Sequence, residues 1–579
     1  MQIHVPGIRL VVAASLAAVL FFVARADADE PTGASRPIRC VYFSPADCEP
    51  LPDRAERLFR VMTCVQEFYR SEMERNGFGA STTFGLEETS PGKLKLYEVK
   101  APGNQSEYGR ESFSAVRRLV GAALAQEGID ANREVVAIFQ QGLRWNEDGS
   151  ATEVASFVGM GTPFYGAGTF YDDPLLDPEK LGSKEPGGYY GGRACTVGEF
   201  NSHYIGGVAH ELGHALTLPH DCETSVERRE LGAALMGGGN HTFGRERRGE
   251  GKGAFLTYSE ALRLSVVPAI NGLEPKRRAV DVSLVELHGR RVSTSAVEFS
   301  GRIESEQPPL ALIFYEDRDA RASDYDAKTW TTRPDAAGSF TVTLTEVASE
   351  PSELRVCAVR DVDTIMLLRA SWNPDGSERE FEPFERRLAL TEISGALQRR
   401  DVAALESLAT GKFSESEEYR SLCAALAQTL KGRPAPTTPS DAEGSSFDLT
   451  DARFETEKVG WARMTRGTFF DGTLLNLGDR GYASGLCAHA NSALTTTLDG
   501  KWQTLRFGYG LQAGGGGSVV FVVRGDGKEL FRSSLVRDHE RHDAELSVAG
   551  VKVLELATED GGDGGTSDHS IWIEPTLTR

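Results

Sequence analysis

The 579-residue chain is too long for one hydrophobic core, and domains of roughly 100–200 residues imply three to four units. Its formal net charge of −21 repels polyanions, which argues against nucleic acid and anionic membrane surfaces as partners. Apolar residues at 40% and charged residues at 25% are ordinary for a globular protein, and 62 glycines against 25 prolines point to a loop-rich, partly β chain.

The N-terminus reads as an address. Arg9 precedes an apolar run from Leu10 to Ala24, and Ala26 and Ala28 make an A-x-A cleavage site. The run is shorter than the roughly 20 residues a spanning helix needs. The expectation is a signal peptide over 1–28 and a mature protein beginning near Asp29 outside the cytoplasm, whether secreted, periplasmic or at the cell surface. A retained N-terminal anchor is the alternative, and no later stretch is long and apolar enough to span a membrane.

From 36 to 270 strand and helix patterns alternate. "RCVYFS" reads as a strand, and the next segment carries Leu58, Val61, Met62, Val65 and Phe68 at helical spacing before an Asn-Gly stop. "KLKLYEVK" alternates as a strand, "SFSAVRRLVGAALAQEG" is a second amphipathic helix, and "EVVAIFQ" is a buried strand. "ASFVGMGTPF" follows as an edge strand broken by glycines. A glycine-rich loop over 182–192 leads to the helix "HYIGGVAHELGHALTL".

Beyond Pro268 short alternating runs separated by turn residues predict a small Ig-like β-sandwich over 279–375. Residues 380–432 read as helical, with Leu397, Val402, Leu405 and Leu408 as the apolar stripe. The sandwich and these helices are expected to act as spacers. A proline- and serine-rich linker over 433–446 then precedes glycine-rich strands over 447–579.

Chemistry concentrates in "HELGHALTLPHD", His210 to Asp221. Residues four apart share one helix face, so His210 and His214 can point at one ion, while Glu211 beside them can serve as base to a water there. His220 follows a helix stop at Pro219, which delivers a third imidazole. This spacing resembles the metzincin signature HExxHxxGxxH, and "AALMGGGN" with Met236 resembles the Met-turn of that family. "LTYSEALRLSVVP" resembles its closing helix. The resemblance implies an α+β zincin domain, a Zn2+ ion on His210, His214 and His220, Glu211 as general base, and hydrolysis of a peptide bond. It also implies substrate pairing along the edge strand near Phe157 to Thr162.

Thr217 departs from the family, which has glycine there. A β-branched residue in a left-handed turn costs on the order of 1–3 kcal/mol. Either the backbone turns differently at Thr217, or its neighbours hold the strain. Asp221 is read as holding the turn by side-chain hydrogen bonds, and nothing in the spacing requires His203 or His241 as ligands. Of the eight cysteines, Cys195 and Cys222 bracket the histidines and are the favoured disulfide, with Cys423 and Cys487 as buried thiols.

Near the C-terminus, Gly485 to His489 with Ser492, the "VVFVVRGDGKELF" strand pair and "DHSIWIEP" resemble the NPCBM family of carbohydrate-binding modules. That implies a galactose-binding-like β-sandwich with a sugar site in loops at one end. Sugars stack on aromatic faces flanked by polar groups, which makes Trp461, Trp502 and His489 candidates, while Trp572 reads as core. Asp560, Asp563 and Asp568 in a glycine loop could serve calcium, or could form a solvated acidic turn. The fold class expected is therefore multidomain: the zincin-like α+β unit, a small β-sandwich, a short helical segment and the C-terminal β-sandwich. The function expected is an exported zinc endopeptidase brought to glycoprotein by its tail. A glycan-binding protein with a vestigial zinc site and a zinc hydrolase of a non-peptide bond are the alternatives, and intact Glu211 argues against the first of these.

Overall fold

The computed structural model describes residues 36–272, 281–318, 324–377, 379–513, 516–562 and 564–579. The expected signal segment and Asp563 lie outside the described residues. Among those residues no helix is long and apolar enough to cross a membrane.

The first unit is built on five strands: β1 (Arg39–Ser44), β2 (Tyr97–Lys100), β3 (Val135–Gln140), β4 (Val158–Gly161) and β5 (Gly166–Tyr171). Their order is β2-β1-β3-β5-β4. Four run parallel, and β4 lies antiparallel to β5 at one edge. Alternation along β1 divides the core. Val41 and Phe43 face helix α2 (Phe113–Gln126) with Val116, Val120 and Leu124. Cys40 and Tyr42 face the opposite layer, which holds α1 (Arg54–Arg75) and α3 (Val197–Ala215). The buried stripe of α1 runs through Leu58, Val61, Met62 and Val65 to Tyr69 and Met73, so Tyr69 takes the place Phe68 was expected to fill.

Helix α3 starts on a capping box. Thr196 Oγ1 accepts the Glu199 amide at 3.1 Å, and Glu199 Oε2 accepts the Thr196 amide at 2.9 Å. It is buried on nearly every face, which places it at the centre of the unit. A short helix, α4 (Tyr258–Leu264), closes the unit on its own capping box of Thr257 and Glu260.

Among the described residues seven strands form the sandwich: β6 (Val282–Ser293), β7 (Ala296–Ser305), β8 (Ala311–Asp317), β9 (Lys328–Thr332), β10 (Ser339–Thr345), β11 (Ser352–Val359) and β12 (Thr364–Trp372). Sheets β6-β7-β10 and β9-β8-β11-β12 close over Phe299, Phe314 and Trp372. Three helices follow, α5 (Glu382–Gln398), α6 (Val402–Thr410) and α7 (Glu417–Lys431), with Leu397 and Leu405 buried and Val402 and Leu408 only partly so. Phe384 of α5 enters the sandwich core, and Leu474 of the next unit packs among the helices.

The C-terminal unit is a sandwich of two antiparallel sheets. One contains Gly485–His489, His569–Thr578 and Thr504–Leu511, and the other Ser492–Thr497, Val553–Asp560 and Val519–Gly525. Residues 433–446 are not a free tether. Pro439 is buried, its carbonyl accepts Trp502 Nε1 at 3.2 Å, and the Ser440 carbonyl accepts Lys501 Nζ at 2.5 Å.

Candidate metal centre

One helix and the turn after it supply the centre. His210 and His214 project from one face of α3, and the chain then stops, reverses and returns His220. Their ring nitrogens lie within 4.8 Å of one another, and no other group of three histidine, cysteine or acidic side chains converges in this way among the described residues.

The stop itself answers the question that Thr217 raises. Thr217 has φ 76°, so the left-handed turn is kept despite the β-branch. Its amide bonds the His214 carbonyl at 3.0 Å, and the Leu218 amide bonds the Gly213 carbonyl at 2.9 Å. These are the paired bonds of a Schellman motif with threonine in the usual glycine position. The neighbours hold the strain: Arg263 of α4 donates to the Thr217 carbonyl at 3.2 Å and to the Tyr315 hydroxyl of the sandwich at 3.3 Å.

Backbone carbonyls fix the imidazoles. His210 Nδ1 lies 2.7 Å from the Leu235 carbonyl, and His214 Nδ1 lies 2.8 Å from the Leu218 carbonyl. A carbonyl only accepts, so both Nδ1 atoms carry the proton and both Nε2 lone pairs face inward. His214 Nε2 then meets His220 Nε2 at 3.0 Å. Nitrogens gathered in this way fit a tetrahedral zinc with one position left over. Burial holds His210 down to about 3 and His214 to about 4, so both are neutral, as ligands must be.

The methionine turn is part of this support. Leu235, which receives His210, precedes Met236, and Met236 is fully buried under the helix. A Cβ on Gly213 would come within 2.6 Å of Met236 Sδ, so the glycine inside the HELGH run makes room for the methionine. The Met236 amide donates to Glu260 Oε1 at 3.0 Å, and Asp221 accepts the Thr257 hydroxyl at 2.8 Å. Burial raises both carboxyls, and the Asp221 charge beside Glu260 raises that group further. The turn after His220 and the methionine turn are thus tied to the same two acids.

Glu211 follows His210 on the same helix. Its Oε2 accepts the Gly159 amide of β4 at 2.7 Å, and burial pushes its carboxyl up to about 7 against the pull of that hydrogen bond. A base with that affinity for protons is matched to neutral pH.

Several expectations need correction. Cys195 and Cys222 are both free thiols. Cys195 precedes α3, and Cys222 follows the turn that reverses the chain after it. Cys222 is engaged elsewhere, its amide donating to the Ala327 carbonyl of the sandwich at 2.7 Å. The sandwich is therefore more than a spacer. It also brings Tyr325 over His220, with ring centroids 3.7 Å apart and 26° between planes, a contact no local spacing announces. His203 and His241 pair through their Nδ1 atoms at 2.9 Å, apart from the three-histidine cluster.

The sugar candidates separate clearly. Trp461 is 58% exposed and stands among Phe470 (5.6 Å), His489 (5.8 Å) and His569 (6.0 Å). Phe470 and His569 were not among the residues singled out by sequence. His489 itself is buried, its Nδ1 donating to the Ala490 carbonyl at 2.6 Å. Trp502 is fully buried in the core with Trp572, so it offers no stacking face. Asp560 accepts the Asn491 side-chain amide at 3.1 Å, and fully buried Asp568 accepts the Ser518 amide at 2.8 Å. Among the described residues no group of three acids gathers there, and Asp563 lies outside them.

The C-terminal residues match a known family over nearly the whole of this sandwich. Residues 445–578 form an NPCBM/NEW2 domain. No curated protein matches the chain. Among solved structures, wild-type OgpA from Akkermansia muciniphila is 25% identical with a TM-score of 0.50, covering 59% of this chain and 95% of that one. Catalytically inactive OgpA, solved with an O-glycopeptide (glycodrosocin) substrate, is 24% identical with a TM-score of 0.50 over 59% of this chain and 94% of that one. A CBM51 from Clostridium perfringens GH95, in complex with methyl-galactose, is 25% identical with a TM-score of 0.22 and covers 23% of this chain and 99% of that one.

Proposed function

We propose that the chain is an exported zinc endopeptidase that cuts O-glycosylated protein, with its NPCBM/NEW2 domain binding carbohydrate nearby. The observation that carries this reading is the convergence of His210, His214 and His220 beside Glu211 and an antiparallel edge strand. The O-glycopeptide found on the similar OgpA structure supports the substrate class. The apolar run at Leu10 to Ala24 supports export.

The three histidines would hold the ion. Zinc so held supplies Lewis acidity toward a peptide carbonyl and toward water. An extended substrate adds to the free edge of β4 as a further strand, which lays its backbone along α3. Glu211 takes the proton of the attacking water on its carboxylate and returns it to the departing amine nitrogen. Gly159 orients that carboxylate through its amide.

The test is cleavage of one synthetic peptide in two forms, bare and carrying an O-linked sugar on a single threonine, followed by mass spectrometry. Cleavage beside the glycosylated threonine and not of the bare peptide supports the reading. Equal cleavage of both forms would remove the glycan requirement, and cleavage of neither form would remove the peptidase.

A further inference from the structure

The β-sandwich reaches the candidate metal centre at three points. Tyr325, between β8 and β9, lays its ring on His220 at 3.7 Å and lies parallel to His210 at 6.2 Å, with 11° between planes. Two residues on, the Ala327 carbonyl receives the Cys222 amide, and Lys328 bridges to Cys222 in parallel register. Lys328 Nζ is 2.6 Å from Glu346, whose carboxylate also takes the Ser225 amide and hydroxyl at 3.0 and 2.9 Å. The third point is Tyr315, which braces Arg263 against the Thr217 carbonyl. His220 is the one ligand candidate outside α3. It follows a strained turn, so its direction depends on what packs around it.

We propose that the sandwich completes the metal centre, with Tyr325 as the positioning residue that holds the His220 imidazole toward the ion. The stack restricts the ring to the plane in which its Nε2 meets His214 Nε2. Carboxylates or carbonyls orient metal-binding histidines in the same way through their second nitrogen, and loss of such a partner costs 10–100-fold in metal affinity. Tyr325 is 48% exposed, so truncating it opens no core cavity and leaves folding intact. The inference rests on the zinc reading above.

Cobalt(II) substitution tests it in the full chain, because its visible bands report ligand number and geometry where zinc is silent. Apparent metal affinity is measured beside the spectrum by competition with a chelator. Tyr325→Ala is expected to weaken zinc binding about tenfold and to shift the cobalt bands, while Tyr325→Phe, which keeps the stack, retains both parent values. Glu346→Gln, which loosens Lys328 and Ser225, is expected to shift them in the same direction by less. A parent that takes up no metal removes the zinc reading and this inference with it. A parent that binds, with Tyr325→Ala matching it in affinity and spectrum, overturns the inference alone.

Discussion

The Gly159 amide and the Glu211 carboxylate meet at 2.7 Å, and the strand that carries the first rests on the helix that carries the second. A Cβ on Gly159 would come 1.8 Å from the Glu211 carbonyl oxygen, and one on Gly161 would come 2.3 Å from that of Ala215. The glycines that seem to interrupt the strand are what let it lie on α3. Gly159→Ala should displace β4 and lower peptide cleavage on the order of 100-fold, as misplaced reacting groups do. Glu211→Gln should lower it at least as far, by roughly 100–10,000-fold, while leaving metal content at the parent level. Retained activity in Glu211→Gln would mean that another group moves the proton.

Thr217 keeps a conformation that glycine adopts freely. Its strain is on the order of 1–3 kcal/mol, and glycine would return roughly 0.5–1 kcal/mol to the unfolded chain as entropy. Thr217→Gly should therefore raise stability by about 1 kcal/mol, read from the denaturant midpoint, with zinc content unchanged. A loss of stability would show that the side chain contributes more than its backbone strain costs.

How much of this was legible in sequence follows from where each contact comes from. His210, His214 and Glu211 are fixed to one another by helical spacing, so local chemistry sufficed for them. The helix ends at Ala215 and the chain turns at Thr217, earlier than the stop expected at Pro219. The capping boxes at Thr196 and Thr257 are equally local. Tyr325 lies more than a hundred residues from His220, and only the docking of one unit on another brings them together. The Cys195–Cys222 pairing failed for a related reason: bracketing a motif in sequence says nothing about where the fold carries two cysteines. Trp461 and Trp502 look alike as letters. Exposure, a property of the closed sandwich, separates them.

Acid should loosen the contact between the first unit and the sandwich. Burial pushes the Glu346 carboxyl up, but hydrogen bonds from Lys328 and Ser225 outweigh it and bring the group from 4.5 to about 2. A carboxyl held below its unfolded value stabilises the fold above about pH 4.5, and that contribution is lost as pH falls toward 2. Melting temperatures taken from pH 6 down to pH 2 should fall more steeply for the parent than for Glu346→Gln. Parallel curves would remove Glu346 from the account.

In the NPCBM/NEW2 domain the two tryptophans should respond in opposite ways. Trp461→Ala should leave the unfolding midpoint within about 0.5 kcal/mol of the parent and weaken retention on a column bearing neutral hexoses. Trp502→Ala empties a core position and should cost about 3–5 kcal/mol. Undiminished retention by Trp461→Ala would move the sugar site away from the Trp461, Phe470 and His569 cluster.

Zinc per mole in the purified full chain, measured beside His220→Ala, decides whether three histidines bind one metal ion despite the threonine turn between them. One zinc in the parent and a marked loss in the variant are expected. A parent without zinc after reconstitution, or a variant that holds it as well as the parent, would overturn the three-histidine site.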